Sequence, residues 1–305
     1  MARMIYELLK TVAGKGQAID DIKEWLEDLF GALDDMLASD LMTLSFSTFA
    51  GVAFSILLLF FLLDLLGLVE RDMLTFQKLV IQFIKLMVGA TILLCLPNII
   101  TGLVDLGHSF FEYFSSDSFQ TASASSGTKK EISFSFGSTI YTSSTFPKWA
   151  TVQDLFKEEY GIGGILGNLG VCFIALLAWL LRIVIYVAGC FVATSCVVKI
   201  LLRAIMSPIA VVQCFEEGTR STGIRYLKGF FAEVLSLGLM VAALVLSQSL
   251  SNSLLLEAGT TKVITFDNLD EVLGILTIGR AFLPQLAGVG AMMAVEKLAH
   301  DVTGG

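Results

Sequence analysis

Residues 41–63 read LMTLSFSTFAGVAFSILLLFFLL, and none of these 23 positions carries a charge. A helix needs about 20 apolar residues to cross the hydrocarbon core of a bilayer. Residues 234–256, VLSLGLMVAALVLSQSLSNSLLL, form a second uncharged stretch of the same length. Two such stretches in one chain predict a polytopic, all-α membrane protein.

The composition of the whole chain agrees with this prediction. Of the 305 residues 55% are hydrophobic and 16% charged, and the mean hydropathy is +0.79. A soluble domain carries about a quarter charged residues. The net charge of −8 argues against a dedicated nucleic-acid-binding domain, which would be basic overall.

The chain has few residues suited to catalysis. It contains no G-x-x-x-x-G-K phosphate loop, and its two histidines, His108 and His300, have no neighbours typical of a catalytic triad. Its five cysteines are separated and lie in apolar stretches, which favours buried free thiols over disulfides or a zinc site. We therefore expect no enzyme, no metal and no cofactor.

Hydropathy divides the chain into four parts. Residues 1–40 predict an extracytoplasmic segment with an amphipathic helix at 18–37, whose polar face is acidic. Residues 41–104 hold the first two spans, at about 41–66 and 79–104. Residues 105–160 form a Ser/Thr-rich loop, and residues 161–305 hold the remaining spans.

The loop between spans 2 and 3 contains an alternating segment, Glu131–Phe136, a Gly137-Ser138 turn and a second short segment, Thr139–Thr142. This pattern predicts a small β-hairpin. A loop of this length in a compact protein is usually functional or disordered.

The apolar segment 160–198 contains a single charge, Arg182, and allows two interpretations. It is either one long helix with about 173–198 in the membrane, or a tight helical hairpin. Lys and Arg near span ends favour the cytoplasm. With one crossing and the N-terminus outside, nine basic residues are cytoplasmic, and four of the outside ones lie within about 20 residues of a span end. The cytoplasmic set is Arg71, Lys78, Lys85, Lys199, Arg203, Arg220, Arg225, Lys228 and Lys297, and the outside set is Lys23, Lys148, Lys157 and Lys262.

The hairpin alternative would largely cancel this asymmetry. We therefore expect about five spans, the last two at 234–256 and 272–295, with an extracytoplasmic N-terminus and hairpin and a cytoplasmic C-terminus. The basic connection 199–230 would then lie in the cytoplasm, with Pro208 as a helix break.

Two arginines fall inside predicted spans, Arg182 and Arg280. A cation at the centre of a bilayer costs about 2.5–3.5 kcal/mol on insertion scales. Both residues are therefore candidates for a translocation path. The alternative is an ion pair, for which Asp64 or Glu233 could supply the acid.

Small and basic residues supply the other candidate positions. Gly163 and Gly167 are spaced for close packing between helices. The predicted cytoplasmic connection carries five cations that could contact lipid headgroups or nucleic-acid phosphates. They are Lys199, Arg203, Arg220, Arg225 and Lys228.

The most distinctive stretch runs through Arg203-Ala-Ile-Met-Ser-Pro208-Ile-Ala and then Phe215-Glu-Glu-Gly-Thr-Arg220-Ser-Thr-Gly-Ile-Arg225-Tyr-Leu-Lys228. This stretch combines an apolar helix with a basic end, a proline and a Gly-Thr-Arg turn before the next span. In this combination the chain resembles the TrbL family. These proteins are polytopic inner-membrane subunits of type IV secretion and conjugation systems, and their topology is similar to the one expected here.

The resemblance implies a bacterial cytoplasmic-membrane protein that forms a homo-oligomer, which we expect to be a ring. As a channel or platform subunit it would help single-stranded DNA–protein complexes or proteins to cross the membrane. Its partners would be the other secretion subunits, separate ATPases, the lipid bilayer and the translocating single-stranded DNA. Two alternatives stay open: a stand-alone solute channel or carrier, and a scaffold that only holds partners.

Overall fold

The computed structural model describes residues 2–12, 18–70, 75–116, 133–136, 139–142, 145–159, 169–215, 220–258 and 275–303. These residues form eight helices and one two-stranded antiparallel sheet. In chain order they are α1 (Ala2–Val12), α2 (Ala18–Leu37), α3 (Asp40–Glu70), α4 (Phe76–Ser115), β1 (Ser133–Phe136), β2 (Thr139–Thr142), α5 (Trp149–Glu159), α6 (Leu169–Gln213), α7 (Arg220–Ala258) and α8 (Ile275–Thr303).

Four of the described helices are long and apolar enough to cross a membrane. Their apolar parts are Asp40–Glu70, Phe76–Ser115, Phe173–Gln213 and Thr222–Ser251. The prediction of a helical polytopic membrane protein is confirmed at this level. The fifth predicted span, 272–295, overlaps α8, which is not among these four, so the count of five spans stays a prediction.

The segment from 169 onward is one uninterrupted helix. α6 runs for 45 residues from Leu169 to Gln213, so the single-helix interpretation holds for the described part of 160–198. The predicted basic connection 199–230 is largely helical, because α6 continues to Gln213 and α7 already begins at Arg220. The second predicted span is also longer than expected, since α4 continues through Pro97 to Ser115.

The predicted helix break at Pro208 is absent. Proline has no N–H and therefore cannot bond to the carbonyl four residues earlier, here that of Ala204. The Ser207 hydroxyl donates a hydrogen bond of 2.6 Å to this Ala204 oxygen instead. The carbonyl is thus satisfied, and the helix passes through the proline.

The described residues belong to two compact units, one formed from residues 1–26, 112–192 and 240–293 and the other from 27–111, 193–239 and 294–305. In the first unit, β1 and β2 pair as predicted, with Phe136 opposite Thr139. An unpredicted helix, α1, packs near α5, and the Tyr6 hydroxyl donates a 2.8 Å hydrogen bond to the Pro147 oxygen. Phe134, Phe136 and Phe156 are buried there.

In the second unit, α4 and α7 approach closely through glycines. A Cβ at Gly107 would lie 2.8 Å from Val234 Cγ1, and one at Gly238 would lie 2.9 Å from the Gly107 oxygen. The ring of Phe30 from α2 stacks on His108 from α4 at 5.1 Å. The two helices α4 and α7 therefore pack with almost no side chain between their backbones.

The amphipathic character of α2 is confirmed. Its acidic face is exposed or half-buried, and one stripe along it is buried. The stripe consists of Ile19, Ile22, Leu26, Phe30 and Leu33.

Candidate functional sites

Arg182 on α6 is held by two carboxylates. Its Nη2 lies 2.8 Å from Asp21 Oδ2 on α2, and its Nη1 lies 3.3 Å from Glu7 Oε2 on α1. All three side chains are partly exposed. The predicted partners, Asp64 and Glu233, are wrong, because Asp64 is exposed on α3 and Glu233 pairs with a different arginine.

We call Glu7, Asp21 and Arg182 the Arg182 cluster. It borders an open groove with a volume of about 470 Å³. The groove is lined by charges of both signs and by two aromatic rings: Arg3, Glu7, Lys10, Asp21, Trp179, Arg182, Ile183 and Tyr186. The structure thus pairs Arg182 with acids, as the ion-pair interpretation expects. Its role in a translocation path stays a prediction.

α2 packs beside α6 at Gly189. A Cβ at Gly189 would lie 2.6 Å from Ile22 Cδ1, so the glycine makes room for the Ile22 side chain. In the first turn of α2, Asp21 faces Arg182, whereas Asp20 and Lys23 face α7. There the Lys23 ammonium donates a 2.7 Å hydrogen bond to Gln248 Oε1, and Gln248 Nε2 donates one of 2.9 Å to Asp20.

Lys23 is the desolvated cation of this region. Burial lowers the pKa of Lys23 below its ordinary value, and the negative charge of Asp20 opposes the shift. The neighbouring amide of Gln248 is a neutral partner, so it compensates the buried charge less well than a carboxylate would.

A second polar cluster joins α6, α7 and α8. Lys199 Nζ lies 2.7 and 2.8 Å from the two carboxylate oxygens of Glu296, and Arg203 Nε lies 3.1 Å from Glu233 Oε1. The Glu233 side chain is only 2% exposed, whereas Arg203 is 32% exposed. A buried carboxylate without its cation would be strongly unfavourable, so this pair ties α6 to α7.

Two residues of α7 shape this cluster around Arg203. The Tyr226 hydroxyl donates a 2.9 Å hydrogen bond to the Arg203 carbonyl, and its ring lies 5.8 Å from the guanidinium carbon. Gly229 faces Arg203 Nη1 and His300, and a Cβ there would collide with Nη1. Glycine at 229 therefore makes the space that the arginine occupies.

Glu233, Glu296 and His300 form a group that the sequence analysis missed. One donor atom from each lies within 4.8 Å of the others. The available signal was the spacing of Glu296 and His300, four residues apart and so on one face of a helix. We call these three residues together with Lys199 and Arg203 the Glu233 cluster.

The remaining predicted site residues are scattered. Arg225 and Lys228 are exposed on α7, and Arg280 is exposed on α8. Arg220 is the first residue of α7. Gly163 and Gly167 lie outside the described residues. Of the five predicted basic contacts, Lys199 and Arg203 are thus engaged in ion pairs within the protein.

The prediction of buried thiols is only partly correct. Cys196 is buried, with its thiol 3.5 Å from the Ser236 hydroxyl. Cys190 and Cys214 are half-buried, and Cys95 is exposed on α4. Cys95 was misjudged because an apolar sequence context does not distinguish a surface that faces lipid from one that faces other helices.

Comparison with known proteins finds no matching family model, no matching curated protein and no matching solved structure.

Proposed function

We propose that this chain is a non-enzymatic, multi-pass subunit of a conjugation-type (type IV) secretion system in a bacterial cytoplasmic membrane. It acts as an oligomeric channel or platform that helps single-stranded DNA–protein complexes or proteins across the membrane, and separate ATPases supply the energy. The resemblance of residues 203–228 to the TrbL family suggests this system. The surface of α3 is the structural observation that supports an assembled state.

α3 presents an uncovered row of small residues. Thr43, Ser47, Gly51 and Ser55 follow one another at four-residue spacing, and all four are exposed. Within the described part of the chain, nothing lies within 4 Å of a Cβ built on Gly51. In membranes such rows let two helix backbones approach closely and pack.

The contrast with α7 strengthens this argument. Only 11% of the most apolar part of α3 is buried within the protein, against 67% for α7. α7 is therefore an internal helix, whereas α3 is available to lipid or to a neighbouring subunit. The small-residue row favours a neighbouring subunit, so we propose that α3 lies at the interface between copies.

The Glu233 cluster supports a five-span topology. The sequence places three span ends at residues 198, 234 and 295, and the adjacent charged residues are Lys199, Glu233 and Glu296. These three residues belong to one cluster. A shared membrane boundary for α6, α7 and α8 would bring these three span ends together, with α8 as the fifth span. The contact of Gly107 on α4 with Val234 on α7 argues against the same topology for α4, because the sequence puts the span ends at residues 104 and 234 on opposite sides of the membrane.

The spacing along α6 is compatible with Arg182 near the opposite boundary. Arg182 precedes Lys199 by 17 residues on α6, which is about 25 Å along a helix. The hydrocarbon core is about 30 Å thick. An extracytoplasmic position of Arg182 therefore stays a prediction, and with it a membrane portion of α6 that begins beyond the predicted start at 173.

A stand-alone carrier is the second candidate. This candidate requires the Glu233 cluster to lie within the membrane rather than at its boundary, since ionisable residues grouped at membrane depth often mark ion or proton pathways. The cluster has two carboxylates, a histidine and two cations. A scaffold without a transport path is the third. Both predict a protein that works without secretion ATPases.

Crosslinking in intact cells, followed by purification and identification of the attached proteins and DNA, tests the proposal. Secretion ATPases, other channel subunits or transferred single-stranded DNA are the expected partners. Recovery of this protein alone would contradict a secretion role and favour the carrier.

The α3 interface has its own test. In a background with the native cysteines replaced, Ser47→Cys and Ser55→Cys are expected to form disulfide-linked dimers on mild oxidation. Ser109→Cys, an exposed serine on α4, is the matched control and should remain monomeric. Equal crosslinking at all three positions would contradict a specific interface on α3.

A thiol-accessibility scan of residues 173–198 separates a channel from a scaffold. A water-soluble reagent that modifies cysteines along one face of α6 would support a translocation path that includes Arg182. Uniform protection between Arg182 and Lys199 would favour the scaffold.

A further inference from the structure

The Glu233 cluster contains an unused ligand atom. Arg203 binds Glu233 Oε1 at 3.1 Å. The other oxygen, Glu233 Oε2, is buried and has no hydrogen-bond partner among the described residues. A buried carboxylate oxygen without a partner costs free energy, so its retention needs an explanation.

The donors around this oxygen are those of a metal site. The three donor atoms of Glu233, Glu296 and His300 lie within 4.8 Å of one another. Glu296 and His300 are one turn apart on α8, and both are only half-buried. Their side chains can therefore close by the roughly 1 Å needed to bring all donors to metal-bond distances of about 2.0–2.2 Å.

The charges around the group indicate how an ion would enter. Lys199 now neutralises Glu296, with its ammonium 2.7 and 2.8 Å from the two oxygens. The Lys199 side chain is 44% exposed, so it can swing into solvent, whereas Arg203 is also held by Tyr226. Arg203 would remain on Glu233 while Lys199 leaves.

We propose that Glu233, Glu296 and His300 bind a divalent first-row transition-metal ion, and that Lys199 occupies the place of this ion when none is bound. Two carboxylates and an imidazole suit Zn²⁺, Mn²⁺, Fe²⁺ or Co²⁺ better than the all-oxygen preference of Ca²⁺ or Mg²⁺. The half-exposed side of the group, at Glu296, leaves coordination positions for water. Such a site holds an exchangeable ion rather than a closed structural one.

Metal titration of the full-length protein tests this proposal. The purified protein in detergent is stripped with a chelator and titrated with Co²⁺, whose visible absorption bands report coordination, and Zn²⁺ is then added. The expected result is one Co²⁺ per chain, displaced by Zn²⁺. Absence of saturable Co²⁺ binding would overturn the proposal.

Variants of the exposed ligands assign the site. Glu296→Gln and His300→Ala should each weaken Co²⁺ binding at least tenfold, and Asp301→Asn, an exposed acid beside His300, should leave it unchanged. These positions are chosen because Glu233 is buried and its variants endanger folding. Wild-type affinity in both Glu296→Gln and His300→Ala would overturn the assignment.

The Co²⁺ affinity of a Lys199 variant distinguishes a metal site from a purely structural ion pair. Lys199→Gln should bind Co²⁺ more tightly by about tenfold, because the competing ammonium is gone, whereas the exposed Lys297→Gln should match wild type. An unchanged or weaker affinity in Lys199→Gln would overturn the role of Lys199. The proposal does not depend on the secretion role, since the crosslinking test involves no metal.

Discussion

Arg182 and Arg203 lie on the same helix, and each pairs with acids from other helices, but the surroundings of the two pairs differ. Arg182 meets Glu7 and Asp21, whose side chains are 27% and 45% exposed. Arg203 meets Glu233, which is 2% exposed. Exposed pairs contribute about 0–1 kcal/mol, whereas removing one partner of a buried pair costs about 3–5 kcal/mol. The burial of the acid therefore decides what each arginine contributes to stability.

The largest effect is expected when the buried acid loses its cation. Arg203→Ala should lower the free energy of unfolding by about 3 kcal/mol, because the Glu233 carboxylate is left buried without its counter-ion. Reversible unfolding in mixed micelles measures this loss. The double variant Arg203→Ala/Glu233→Gln removes the unpaired charge and should cost less than Arg203→Ala alone. A loss below about 1 kcal/mol for Arg203→Ala would show that both pairs behave alike.

A smaller effect is expected at the glycine that accommodates Arg203. Gly229→Ala should destabilise the protein by about 1–2 kcal/mol, because its Cβ displaces the guanidinium from Glu233. Gly102→Ala is the matched control, since Gly102 is exposed on α4 and a Cβ there meets nothing within 4 Å in the described part of the chain. That change should stabilise the helix slightly. Equal effects of Gly229→Ala and Gly102→Ala on stability would contradict the idea that Gly229 makes room for Arg203.

Arg182 should matter less for stability and more for transfer. Arg182→Leu is expected to cost about 1 kcal/mol, and the loss should shrink at high salt because the pair is screened. The double variant with Asp21→Asn should cost less than the two single changes together. If Arg182 lines the path, DNA or protein transfer falls even where folding is intact, and unchanged transfer in Arg182→Leu would remove that role.

Lys23 is expected to give the smallest effect and a distinct pH dependence. Burial lowers its pKa in the folded protein, so the unfolded chain binds this proton more tightly. The resulting penalty is present at neutral pH and is lost as pH rises from the lowered pKa to the ordinary value of 10.5.

Unfolding of wild type and Lys23→Met at pH 7.5 and at alkaline pH measures this difference. Lys23→Met should be the more stable of the two at neutral pH, by on the order of 0.5 kcal/mol. The advantage should decline at alkaline pH. An advantage independent of pH would assign the effect to packing.

Much of the fold follows from local pattern. Uncharged runs of more than 20 residues predict α3 and α7, and the helical period of the apolar residues predicts the buried stripe of α2. The alternation of apolar and polar residues around Gly137-Ser138 predicts the hairpin. Pro208 shows where local rules fail. A proline inside a helix leaves one carbonyl without its usual donor, and the hydroxyl of the preceding Ser207 satisfies that carbonyl here.

The site was less predictable because its members are distant in sequence. Arg182 pairs with residues 161 and 175 positions away, and the Glu233 cluster draws on three helices. Hydropathy puts Arg182 inside a predicted span and so indicates that it needs a partner, but it does not choose among the acids of the chain. That choice depends on how α1 and α2 pack beside α6.

The space beside Gly229 also constrains how this sequence can change over evolutionary time. A larger residue at 229 costs least where the arginine at 203 is absent, and loss of that arginine is in turn costly while Glu233 is retained. Substitutions at these three positions are therefore coupled. In a set of homologous sequences these three positions are expected to vary together.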